Sequence, residues 1–131
     1  QIGDSFHLKM LGHLGSKNGA GLRIEIMSDS VILADTGNII LPACTNKHWE
    51  LNMYFTIRAV GIATVASIMS GGVFTYTKNA SAAFEGINFT EDNSTTFDTT
   101  IINTLDVIAT WDGASAQNNI YSEVAILQKI Y

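Results

Sequence analysis

The residues best equipped for chemistry sit together near the end of the chain: Trp111, Asp112, Ser115, Gln117, Asn118 and Asn119. An indole face stacks on a sugar ring while nearby amides and carboxylates hydrogen-bond its hydroxyls. That pattern makes Trp111, Asp112, Gln117, Asn118 and Asn119 the candidate ligand contacts, with a carbohydrate as ligand. The same residues also fit a solvated turn following a tryptophan that ends its strand in the core, and both readings stand. Trp49, on the apolar face of its own segment, reads as core.

Other chemistry finds less support. His7 and His13 lie six positions apart on one extended run, too far to share an ion, and His48 stands alone, so no histidine metal set is expected. The segment Glu91-Asp92-Asn93 with Asp98 offers hard oxygen ligands for calcium but lacks EF-hand spacing, and a solvated acidic loop is the expectation. No GxSxG, HExxH or phosphate-binding glycine loop occurs, and no spacing singles out a catalytic triad. The expectation is a non-enzymatic protein with no catalytic residues, no metal and no cofactor. Sequons begin at Asn79, Asn88 and Asn93 and matter only on a eukaryotic secretory route. Cys44 is the only cysteine, which excludes an intrachain disulfide; it is expected as a buried small hydrophobe.

At 131 residues the chain fits one domain able to bury roughly two-thirds of the surface its unfolded form exposes. Apolar residues make up 47% and charged ones 15%, so Thr, Ser, Asn and Gly must cover much of the surface, as in rigid β-rich extracellular or virion proteins. A formal charge of −5 with no Lys/Arg cluster argues against nucleic acid. No apolar run approaches the roughly 18 residues of a membrane span, so no membrane insertion is expected. The chain opens on Gln1 without Met, and the expectation is a piece or processed product of a longer protein, covering its C-terminal part.

The elements that must position these residues alternate with a period of two. Residues 4–14 set Phe6, Leu8, Met10 and Leu14 against His7, Lys9 and His13. After the Asn18-Gly19 turn, Leu22, Ile24 and Ile26 point inward from a strand expected to form a hairpin with the first. Short strands follow at residues 31–35 and 39–41, the second stopped by Pro42. Residues 48–60 form the best strand, with Trp49, Leu51, Met53, Phe55 and Ile57 on one face. A further strand covers residues 64–77, with Gly71-Gly72 expected as a bulge or corner. Residues 78–99 read as an irregular, ordered loop pinned by Phe84, Ile87, Phe89 and Phe97, and as a candidate specificity loop. The final strands place Asn103, Leu105, Val107, Ala109 and Trp111, then Ile120, Val124, Ile126 and Ile130, inward. Tyr121, Leu127 and Tyr131 fall on the outer face, which points to an oligomer with these three at its interface. Roughly eight or more strands with turn signals and no helix predict an all-β antiparallel sandwich of jelly-roll type, a single domain over residues 1–131.

The terminal segment, with Asp106, Val107, Ala109, Thr110 and Trp111, then Ala114, Ser115, Ala116 and Asn118, then Ile120, Ser122, Glu123, Leu127, Lys129 and Tyr131, resembles C-terminal domains of virion fibre, spike and tail proteins from phages and large double-stranded DNA viruses. Upstream, Gly3-Asp4, Leu22 to Ile26, Leu41-Pro42 and Trp49 to Arg58 follow the same order. The resemblance implies a trimeric head with a jelly roll like that of tumour necrosis factor, on the virion surface. Such a head would attach to a host cell-surface glycan or glycoprotein through its loops. Two alternatives remain: a purely structural trimerisation or capping domain, and a monomeric carbohydrate-binding module.

Overall fold

The structure, a computed structural model, describes residues 1–78 and 83–131. Nine strands follow in order: β1 (Ser5–Ser16), β2 (Ala20–Ser28), β3 (Val31–Asp35), β4 (Ile39–Leu41), β5 (Cys44–Ala59), β6 (Ser67–Thr77), β7 (Phe84–Asn93), β8 (Asp106–Trp111) and β9 (Asn119–Lys129). No helix occurs among the described residues. Every pairing is antiparallel. One sheet runs β7-β6-β5-β1-β9; in the other, β2 is flanked by β8 on one side and by β3 and β4 on the opposite side. The protein is an all-β antiparallel sandwich.

Its core forms where the two unbroken alternations meet. Leu22, Ile24 and Ile26 of β2 are buried against Trp49, Leu51, Met53 and Phe55 of β5 and Phe74 of β6, as their period-two spacing predicts. Each such side chain contributes about 1.5–3 kcal/mol by leaving water. Trp49 is core, and its indole N–H donates to the carbonyls of His13 and Tyr121, satisfying the one polar atom it buries. The sandwich is closed where β3 meets β6 and β7, tied by the Ser70 hydroxyl donating to the Leu33 carbonyl. Between the sheets, toward the end that holds Gln1, an apolar pocket of about 390 Å³ remains among Phe6, Phe55, Leu105 and Leu127.

Four expectations are corrected. β1 and β2 do not form a hairpin: β1 pairs β5 and β9, and the turn at residues 17–19, with Gly19 at φ 79°, carries the chain into the other sheet. Gly71 and Gly72 make no bulge, because β6 runs through them in register with both neighbours. A Cβ on Gly72 would overlap the Asn52 carbonyl oxygen, so the glycine permits close strand approach. Residues 84–93 of the expected loop form β7, with Ile87 opposite Phe74 and Phe89 opposite Gly72 on the inner face. Phe89 and Phe97 are buried as anchors, but Phe84 is exposed. The sequon at Asn79 lies outside the described residues.

The fourth correction concerns β9. Leu11 pairs Val124 while Gly12 pairs Ser122, leaving Glu123 as the extra residue of a bulge. One extra residue reverses face parity for everything after it. Leu127 therefore stands opposite Leu8 on the inner side and lines the apolar pocket, whereas Val124 and Ile126, expected inward, face outward. Tyr121, before the bulge, keeps its outer position opposite His13. Gly12 makes the bulge possible, since a Cβ there would overlap the Tyr121 carbonyl oxygen that Trp49 binds.

Candidate functional site

Hydrogen bonds gather residues 15–21, 38–47 and 111–119 at one end of the sandwich. Asp112 Oδ1 accepts from the Gly21 N–H, and the Asp112 N–H donates back to the Gly21 carbonyl. Asn118 Oδ1 accepts from the Lys17 N–H, while its amide donates to the Gly113 carbonyl. Asn119 donates to the Gln117 carbonyl, and Ser115 Oγ accepts from the Gln117 N–H. Asp112, Asn118 and Asn119 thus use side-chain atoms to hold the loop, as short Asx residues do in turns. The Gln117 amide has no hydrogen-bond partner among the described residues and is exposed.

The five candidate contacts do not share one surface. Trp111 and Asn118 border a shallow, open depression with Ser115. Asp112 and Asn118 border a small one with Lys17 and Asn18. Gln117 and Asn119 face a groove of about 560 Å³, walled by Gly15, Ser16, Cys44, Thr45 and Lys47. Trp111 is half-buried and packs against the core at the end of β8, so its ring is a partial wall instead of an open platform. Cys44, expected buried, is only half-buried at the groove wall, with its sulfur 3.2 Å from Ser16 Oγ. Lys47 escaped the sequence reading. The only local signal for it is Asn46, whose type tolerates the left-handed backbone it adopts at φ 56°.

The opposite end holds both termini and a different chemistry. Ser5 N–H donates to the Tyr131 carbonyl, Gly3 N–H to Ile57, and Thr99 N–H to Gly61. Asp4 is bonded by Lys129 Nζ at 2.8 Å, which holds its carboxyl below the ordinary aspartate value. Ile2, Ile62, Val65, Ile101, Ile102, Ile130 and Tyr131 are all exposed here. In the acidic segment Asp92 pairs Arg58, Asp98 accepts from Thr100, and Asn93 Oδ1 accepts from the Thr96 and Phe97 N–H groups.

The outer face of the five-stranded sheet carries the histidines. His48 does not stand alone, because the register sets it directly opposite His13, and these two lie 3.7 Å from Glu50 and 3.0 Å from Glu123, respectively. His7 stacks on Tyr54 with centroids 4.5 Å apart. Among the described residues, no group of three or more His, Cys, Asp or Glu side chains is placed to hold a metal ion. Compared with known proteins, the chain matches no family model, and no significant match is found among curated proteins or solved structures.

Proposed function

We propose that the chain is a non-enzymatic attachment domain on a virion surface, the trimeric head of a fibre or spike, which recognises a host cell-surface glycan or glycoprotein. The observation that carries this reading is the division of the molecule into two ends: loops with grooves and an uncommitted amide at one, exposed apolar side chains and both termini at the other. A virion head needs one end to meet the host and another to join its neighbours. The edge strand β9 supports assembly. Its backbone is unpaired on one side, and Tyr121, Val124 and Ile126 expose apolar surface on its outer face, continued by Tyr131 at its end. Leu127 lines the inter-sheet pocket from the inner side, yet it is 53% exposed and stays with Tyr121 and Tyr131 in the interface set. Trimerisation would place several weak sugar sites on one particle and raise avidity. Adjacency of the first and last strands supports a jelly-roll scaffold, while the β5-β6-β7 meander departs from two linked Greek keys.

The test is competition: excess isolated domain should block adsorption of the parent particle to host cells. Gln117→Ala should weaken that block about tenfold, the worth of one or two hydrogen bonds. Full blocking by a Gln117→Ala, Trp111→Ala double variant would remove the loop assignment. The runner-up is a structural trimerisation or capping domain, favoured by the commitment of Asp112, Asn118 and Asn119 to the loop itself. It predicts a trimer that neither binds cells nor blocks adsorption. A monomeric carbohydrate-binding module predicts a native mass of 14.2 kDa.

A further inference from the structure

Resting on the glycan reading, we propose that the groove between residues 112–119 and the corner at residues 43–47 takes an acidic sugar. The Lys47 ammonium holds its carboxylate or sulfate, and Gln117 and Thr45 hold neighbouring hydroxyls.

The backbone aims Lys47 at this place. Leu14 pairs Lys47 and Ser16 pairs Cys44, so β5 takes three steps where β1 takes two, and the extra residue makes a bulge. Bulges redirect the side chains beside them. Here the left-handed Asn46 precedes Lys47, whose stem leaves the strand on the same side as Trp49 and lines the groove with Gln117 and Asn119.

Charge singles out the same lysine. Arg23, Arg58, Lys78 and Lys129 each have a carboxylate partner; Lys9, Lys17 and Lys47 have none among the described residues, and of these three only Lys17 and Lys47 lie at this end. Across the three depressions around the loop, the lining charges are these two ammonium groups and one carboxylate, Asp112, which is bonded to the Gly21 N–H. On a chain of net charge −5, two ammonium groups against one lining carboxylate give these depressions a local charge balance that suits an anion. A lysine acts as a point charge without the planar fork of arginine, so it accepts carboxylate and sulfate alike. The Thr45 hydroxyl and Gln117 amide, both without a side-chain partner among the described residues, supply the donors and acceptors that ring hydroxyls require.

The experiment is capture of the domain on an array presenting neutral, uronate- or sialate-bearing, and sulfated glycans on shared cores. Capture should be confined to acidic glycans, and which acidic set responds separates carboxylate from sulfate. Lys47→Gln should lower capture at least about tenfold and Lys47→Arg should retain most of it, whereas Lys9→Gln, removing a lysine that lines none of the depressions, should change nothing. If Lys47→Gln does not fold, competition of wild-type capture by free glucuronate and by inorganic sulfate provides the same readout. Capture of neutral glycans with Lys47→Gln within twofold of wild type overturns the acidic-sugar assignment and leaves the glycan reading standing. No capture of any glycan by the wild type ends both.

Discussion

The two ends of this sandwich are built from the same strands and obey the same backbone demands, yet they meet water differently. At the end containing residues 112–119, side chains hydrogen-bond their own loop and leave polar grooves between turns. At the termini end, Ile102 is 91% exposed and Tyr131 81% exposed, although the backbone there is equally well bonded. Loop order is therefore no guide to what a loop is for. Both ends are pinned, and only the apolar one presents surface whose cover would be favourable. Under the proposed function, the contrast separates assembly from recognition within a single small domain.

The sharpest way to break that separation is to charge the assembly side. In the proposed trimer, Ile126→Asp with Tyr131→Asp should reduce the native mass from about three chains to one, 14.2 kDa, while both positions are exposed enough to leave the fold intact. A double variant that stays trimeric would place the interface elsewhere.

Gly12→Ala acts on the seam that joins β9 to the rest. The added methyl collides with the Tyr121 carbonyl, and forced overpacking of this kind costs about 1–3 kcal/mol. Hydrogen exchange should show β9 loosening while the β2–β8 pairing keeps its protection. Uniform loosening would mean that the two sheets cannot be separated energetically.

Asn118→Ala tests the other end, removing its bonds to Lys17 and Gly113, and should cost about 1–2 kcal/mol in thermal unfolding. Assembly should survive; loss of the trimer would couple the two ends directly.

Acid gives the smallest effect. The Asp4 carboxyl is lowered chiefly by its hydrogen bond from Lys129, and Asp98 chiefly by that from Thr100. Carboxyls depressed in the folded state contribute stability that is complete above their ordinary value and lost as pH falls through the folded one. The melting temperature should therefore fall below about pH 4, and less steeply in Asp4→Asn. An unchanged slope would show that the ion pair is too solvated to matter.

What the sequence disclosed follows from how local each determinant is. The inner faces of β2 and β5 are legible because Leu22-Ile24-Ile26 and Trp49-Leu51-Met53-Phe55 alternate without interruption. The inner face of β9 is not, because its bulge at Glu123 depends on Gly12 and the Trp49 indole, both distant in the chain. Strand β7 was hidden by polar outward residues such as Asn88, Thr90 and Asp92, which resemble loop composition until β6 supplies their partners. The Asn18-Gly19 turn was evident, but its local chemistry does not specify which sheet the chain enters next. At the candidate site the residue types were readable, whereas their division among three depressions required the fold. Lys47 gained meaning only once the fold set it in one groove with Gln117.

One wall of the groove carries the sole sulfhydryl of the chain, at Cys44. A single alkylating reagent therefore modifies one position, and no engineered handle is needed. Whatever fills the groove would shield that sulfur, so the rate of iodoacetamide labelling becomes a direct mass readout of occupancy in otherwise unaltered protein.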